Sequence, residues 1–370
     1  MRGPREQGRT DQSASAVTNS TESASRIDGR APTVDGVTAT SPTGNPLALL
    51  PTLEGDLARV ETEIMASVES DLDFMTEISQ HLIKAKGKRV RPGFAIAAAA
   101  TANKDSVPVH HDVIMAGVSV ELIHIGSLYH DDVMDQATTR RSVESVNARW
   151  GNLKAILAGD YLLGQSSEIA AGLGTDVAAL MAQTISKLCE GQIRELQDNF
   201  NVDRTPEDYI AAIEGKTASL LATACRVGAM TGGLDSPMIE SLTEFGYSYG
   251  MAFQVVDDIL DVVATDEQLG KPSGNDILEG NYSLPVIRAL RSDVGPQLRS
   301  LLTAFIDEDE RDQALVLIRT SPGVAEALDV ARAYADKAAA SLTSLADNAA
   351  GTALRAAADH LISKVSNPLI

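Results

Sequence analysis

The stretch "HDVIMAGVSVELIHIGSLYHDDVMD", residues 111–135, decides the fold. Apolar side chains fall on nearly every side of it, which suits a helix buried at the centre of a bundle. It ends on three aspartates within five residues, Asp131, Asp132 and Asp135. Further on, "VVDDILD" sets Asp257, Asp258 and Asp261 at the same spacing. At about 100° per residue, each triad falls within an arc of about 100°. Phe253, Val256 and Leu260 take the adjoining face of the second helix, while His124 and Gln254 fall on the carboxylate side of theirs.

A run of acids is ordinarily a solvated helix face. Here the flanks are apolar, and three like charges within one and a half turns repel one another. Ionised carboxylates in such surroundings need cations, because burying them unpaired is too costly. Hard divalent ions with oxygen ligands, Mg²⁺ above all, meet that need and complete their shells with phosphate oxygens. Two facing triads therefore describe a multi-metal clamp around a diphosphate, with all six aspartates as metal ligands.

An anionic substrate also needs direct cationic contacts. "GKRVRP" concentrates Lys88, Arg89 and Arg91 just before a helix; Arg140 and Arg141 follow the first triad, Lys216 and Thr217 sit in a helix among small residues, and Lys271 lies in "LGKPSGND". His130 stays ambiguous, because an "HD" pair also marks some metal phosphohydrolases.

The rest of the chain fits the same picture. Its 370 residues are 44% hydrophobic and only 4% aromatic, with strand-like alternation hard to find, which favours an all-α protein. Residues 1–46 are rich in Ser, Thr, Gly and Pro and carry five arginines against five acids, the composition of a disordered tail. Frequent Arg and Ser would also suit a transit peptide, whereas the acids do not. From Leu47 helical periodicity continues without a composition break, so 47–370 reads as one domain. Within it, 205–230 and 236–264 each read as a single helix, and 325–363 as two more.

A net charge of −20 argues against a nucleic-acid partner. No uninterrupted apolar run reaches about 18 residues, so no membrane-spanning segment is expected. Cys189 and Cys225 sit in apolar helical contexts and read as buried structural thiols in a reducing, cytoplasmic setting.

Taken together, "ELIHIGSLYHDDVMDQATTRR", "GKRVRP", "GKT", "FQVVDDILD" and "LGKPSGND" resemble the ordered motif series of the trans-polyprenyl diphosphate synthases, from about residue 50 onward. The resemblance implies an all-α isoprenoid-synthase bundle, a homodimer, and three Mg²⁺ between the Asp clusters. It also implies catalytic roles for Asp131, Asp132, Asp135, Lys216, Asp257 and Asp258. Lys88, Arg91, His124 and Arg141 would hold isopentenyl diphosphate. Arg140, Lys216, Gln254 and Lys271 would hold the allylic diphosphate, with Thr217 lining its site. In this family the fifth residue before the first Asp tends to floor the product tunnel. Here it is Gly126, with Leu122 one turn deeper, which implies a long-chain product, a quinone side chain as its destination, and peripheral membrane contact for release. Three residues depart from the family pattern: Lys86 and Ser142 stand where glycine is frequent, and Asn281 where lysine is. A class I terpene cyclase normally carries an Asn/Ser/Glu second metal motif, and a non-catalytic partner subunit should lack one Asp cluster. Neither matches a chain with both triads. The alternatives kept are that partner subunit of a heteromeric synthase and a shorter-chain, geranylgeranyl-type synthase.

Overall fold

The structure is a computed structural model that describes residues 45–103, 107–265, 273–304, 306–345 and 347–366. Residues 1–44, and with them nearly all of the expected tail, lie outside the described residues. Asn45 already belongs to the first turn, where its side chain accepts a hydrogen bond from the Leu47 amide ahead of the 3₁₀ turn Pro46–Leu49.

Helix α4 (His111–Met134) runs through the centre. It packs against α1 (Leu53–Ala66), α3 (Val90–Ala100), α6 (Asn152–Leu173) and α9 (Ser219–Thr231). Because neighbours cover every side, its apolar residues need no single stripe. By length and composition α4 could cross a membrane, but 72% of that apolar window is buried inside the bundle. The contact with α6 is close where side chains are small. Ser119 and Ser166 bond reciprocally to each other's carbonyls at 3.0 and 2.8 Å, and a Cβ on Gly126 would stand 3.1 Å from the Gly159 carbonyl oxygen.

Helix α7 (Thr175–Gln197) lies beside α6, and α2 (Asp73–Lys84) and the short α5 (Val146–Trp150) flank it. Helix α10 (Ser236–Val263) carries the second triad at its C-terminal end and packs along α9. Its N-cap is Asp235, which accepts from the Met238 amide at 3.0 Å, so the helix starts at Ser236, where the sequence places it. Shorter helices follow: α11 (Asn275–Leu278), α12 (Leu284–Ala289), α13 (Gly295–Leu301) and α14 (Glu308–Thr320). Helices α15 (Gly323–Ser341) and α16 (Ala349–Ser366) close the bundle along α10, as the alanine-rich segment suggests.

Two local features depart from the sequence reading. The single helix expected over 205–230 is divided: α8 (Pro206–Ile213) gives way to a π-helical turn, Glu214–Ala218, before α9. Backbones approach too closely for a regular helix and side chains to coexist there. A Cβ on Gly191 would lie 2.3 Å from the Lys216 nitrogen, and one on Gly215 would lie 2.7 Å from the Lys187 oxygen. Such turns often mark functional sites.

The second departure is a two-stranded ribbon, β1 (Thr139–Arg140) and β2 (Val143–Glu144), joined by Arg141 and Ser142 at φ 52° and 62°. A two-residue loop with both φ positive is the hairpin geometry that normally takes Asn-Gly. Lys86 has φ 61°, so both departures from family glycines sit in left-handed backbone, which costs a side-chain-bearing residue about 1–2 kcal/mol. Ser142→Gly should therefore raise unfolding stability by up to about 1 kcal/mol, read in a urea titration. An unchanged or lowered midpoint would contradict the strain.

Candidate active site

The C-terminal end of α4 brings the first triad to a cleft of about 520 Å³ bounded by α4, α6, α7 and the π turn. Asp131 lines it with Lys216, Thr217, Arg91 and His124, and Leu128, Leu188 and Leu220 supply apolar wall. The triad is not one face in practice. Asp131 points into the cleft, Asp132 is fully buried and turned toward Arg140, and Asp135 is the exposed C-cap. Arg140 Nε donates to Asp132 Oδ1 at 2.7 Å, so this arginine, expected at the allylic diphosphate, is tied here to an expected metal ligand. Asp132 Oδ2 is buried without a hydrogen-bond partner.

On α10, Asp258 and Asp261 are buried and Asp257 is exposed. Tyr209, on α8, donates to Asp258 Oδ2 at 2.5 Å, and Gln254 Nε2 donates to Oδ1 at 2.9 Å. Thr217 in turn donates to Gln254 Oε1 at 2.7 Å, which links the π turn to the second triad.

Asp131 and Asp258, one from each triad, feel a common charge, that of Glu195. Burial pushes Asp131 up to about 6, against the pull of Lys216. Burial pushes Asp258 up to about 7, with Asp257 and Glu195 adding to it and the bonds from Tyr209 and Gln254 opposing. Burial likewise raises Asp132 despite Arg140. Glu195, on α7, acts on Asp131 and Asp258 alike, and it accepts a hydrogen bond from Lys216 Nζ. Burial alone would lower Lys216, but Glu195, Asp131 and Asp135 outweigh it and hold the ammonium firmly protonated.

A second charge cluster lies where α3, α4 and the ribbon meet. Burial lowers His124 well below its ordinary range, and Arg91, Arg141, Arg140 and Arg89 lower it further, so its ring is neutral. Burial also lowers Arg91 and Arg141; the charge of Arg141 lowers Arg91 further, and those of Arg89 and Arg140 lower Arg141 further, while Glu121 opposes the shift in both. Lys88 is exposed. At the C-terminal end of the chain, Lys364 on α16 feels the charges of Lys88 and Asp257, which places that helix beside the site.

A hard divalent cation suits this donor set. The donors are all carboxylate oxygens, burial raises Asp131, Asp132 and Asp258, and a buried Asp132 oxygen has no protein donor. Among the described residues no three His, Cys, Asp or Glu groups converge to chelate one ion unaided.

Residues 73–318 match the family described as Polyprenyl synthetase. The chain belongs to the polyprenyl synthetase family. It is thus one of the trans-polyprenyl diphosphate synthases that its motif series resembles, a prenyl-transferring enzyme. A nonaprenyl diphosphate synthase of Mycobacterium tuberculosis is 40% identical over 83% of this chain and 92% of that protein. A heptaprenyl diphosphate synthase component 2 of Geobacillus stearothermophilus is 38% identical over 82% and 94%. Among solved structures, a polyprenyl synthase from Caulobacter crescentus, complexed with calcium and isoprenyl diphosphate, superposes with TM-score 0.80 at 31% identity, covering 87% of this chain and 99% of that one. A geranylgeranyl pyrophosphate synthase from Corynebacterium glutamicum with the same ligands gives 0.76 at 40% identity, over 88% and 99%. The all-α isoprenoid-synthase fold expected of the polyprenyl synthetase family is the one observed.

Some expectations change. Gly126 does not border the cleft: it meets Gly159 and Leu163 of α6, and Leu122 is fully buried in the core. The reason is rotational, since the residues of α4 that face the cleft are His124, Ser127, Leu128 and Asp131. Cys189 is exposed on the cleft wall and is no buried thiol, whereas Cys225 is fully buried. His130 lies 3.4 Å from Asp160. Asn281 accepts from Arg204 Nη1 at 3.0 Å. Lys271 lies outside the described residues.

Sequence reading missed Tyr209 and Glu195. The capping box at Thr205 and Asp208 could have located Tyr209 on the first turn of a helix, but not its partner 49 residues on. Tyr209→Phe should lower activity about 10–100-fold and raise the metal concentration for half-activity, with little change in fold. Equal metal dependence in the two proteins would sink this role. Gly126→Phe should cost about 1–3 kcal/mol of stability by forcing α4 from α6. A product shortened at unchanged stability would return Gly126 to the tunnel floor.

Proposed function

We propose that the protein condenses isopentenyl diphosphate with an allylic diphosphate, in the presence of Mg²⁺, to make a long-chain all-trans polyprenyl diphosphate. The observation that carries this is the pair of desolvated carboxylates Asp131 on α4 and Asp258 on α10, both under the charge of Glu195, with Asp131 and Lys216 lining an apolar cleft. Relatives named for nonaprenyl, heptaprenyl and solanesyl products support the length. The Corynebacterium geranylgeranyl enzyme supports the shorter reading.

Asp131, Asp132, Asp135, Asp257, Asp258 and Asp261 would hold the metal, assigned as three Mg²⁺. Bound there, it supplies Lewis-acid withdrawal of charge from the allylic diphosphate. Lys216 and Gln254, with Thr217, Arg140 and Lys271, orient that diphosphate so that its C–O bond breaks toward positive charge. Arg91, Arg141, Lys88 and the neutral His124 hold the diphosphate of isopentenyl diphosphate. Leu128, Leu188 and Leu220 keep water from the allylic cation. The double bond of isopentenyl diphosphate attacks it, forming one C–C bond. A proton then leaves to the departing diphosphate, giving a chain one C5 unit longer.

Two exposed leucines on α6, Leu153 at 79% and Leu157 at 60%, support a homodimer that covers them. A heteromeric assembly is the second reading, favoured by the relative named as component 2. Two free cysteines support a cytoplasmic setting. The quinone destination and membrane contact at product release rest on analogy of chain length.

Incubating purified protein with labelled isopentenyl diphosphate and each allylic primer, then separating the products, tests this. EDTA should abolish turnover and Mg²⁺ restore it, and Asp131→Asn should cost on the order of a hundredfold or more. Products that stop at farnesyl diphosphate would rule out the long-chain reading. No turnover without a second protein would favour the heteromer.

A further inference from the structure

Arg89 stands among the cations of "GKRVRP" yet is turned away from the cleft. It is 4% exposed, and each of its three guanidinium nitrogens has a protein partner. Nε and Nη2 donate to the two oxygens of Glu61 at 2.5 and 3.1 Å, Nη1 donates to Glu121 at 2.9 Å, and Nη2 also reaches the Ile83 carbonyl at 3.2 Å. Its backbone is left-handed, φ 46° and ψ 42°, at the N-cap of α3. Such a conformation persists only where surrounding contacts over-determine it.

Glu121 is 2% exposed, on α4 one turn before His124. The oxygen that accepts from Arg89 also lies 4.0 Å from Arg141 Nη2. Arg141 too is left-handed, donates to the Leu82 carbonyl at 3.1 Å, and packs so tightly on Gly87 that a Cβ there would come within 2.9 Å of its Cζ. A single buried carboxylate thus ties together two strained segments, 86–89 and 141–142. Glu121 also attracts Arg91 against the repulsion of Arg141.

A buried ion pair is poor evidence of stability, since apolar residues of equal volume often serve as well. What it offers is placement. We propose that Arg89 and Glu121 form a buried strut, with Glu61 at its outer end, that positions Arg91 and Arg141 for the diphosphate of isopentenyl diphosphate. Arg89 is a positioning residue and no ligand of substrate. The inference rests on the assignment of that diphosphate to Arg91 and Arg141. Glu121 is shared among Arg89, Arg91 and Arg141, so it cancels only part of their charge and leaves excess positive charge for an incoming anion.

Steady-state kinetics with each substrate varied in turn tests the strut. Glu121→Gln should raise KM for isopentenyl diphosphate about tenfold while kcat and the allylic KM stay within about twofold. A general loss of structure would not divide the two KM values in this way. Unchanged KM values, or an equal rise in both, would overturn the proposal. If Glu121→Gln does not fold, Glu61→Gln at the more exposed end decides. An increase of about threefold in the isopentenyl diphosphate KM supports the strut, and no increase overturns it. Arg141→Gln separates the two levels. If it raises the isopentenyl diphosphate KM and Glu121→Gln does not, only the strut fails. If it raises the allylic KM alone, the substrate assignment fails and the strut with it.

Discussion

Carboxylates held inside an apolar bundle are the constraint from which the site follows. Asp131 and Asp258 sit where burial raises them to about 6 and 7, so each is costly to ionise without a cation close by. The protein meets part of that cost with Lys216 and Arg140 and with hydrogen bonds from Tyr209 and Gln254. It leaves a buried oxygen of Asp132 without a donor. Fuller neutralisation by protein groups would stabilise the chain more and leave less for a metal and its diphosphate.

Two kinds of support hold these groups in place. Around the second triad the support is a chain of neutral donors, from Thr217 through Gln254 to Asp258, closed by Tyr209. Around the basic cluster it is ionic, from Glu61 through Arg89 to Glu121. The difference suits what each supports: anions are fixed by donors, and cations by a carboxylate that takes away only part of their charge. Both supports converge near the C-terminal half of α4, whose own packing depends on small residues along α6.

Backbone strain collects in the same region. Lys86, Arg89, Arg141 and Ser142 all have positive φ, and two of them occupy positions where the family often has glycine. The side chains of Arg89 and Arg141 are anchored at both segments, which is how left-handed backbone persists at residues that disfavour it.

Much of this was legible in the sequence. The all-round apolar character of residues 111–135 marks a central helix, and the repeated Asp spacing marks a metal-dependent diphosphate site, because local period and charge repulsion are properties of a segment by itself. The helical starts at 205 and 236 are equally local. What the sequence alone left open, or had wrong, depended on partners distant in the chain. Gly126 faces α6 and not the cleft because the rotation of α4 about its axis is set by its neighbours. Cys189 is exposed because its side of α7 lines the cleft, and the π turn at Lys216 brings two backbones together where Gly191 and Gly215 leave room. Arg89, indistinguishable in sequence from a substrate-binding cation, is withdrawn by Glu61 and Glu121, which lie on two other helices. Sequence determined which chemistry the chain carries; tertiary packing decided which of its charged groups face one another, since pairing across a bundle is settled only when the helices have packed.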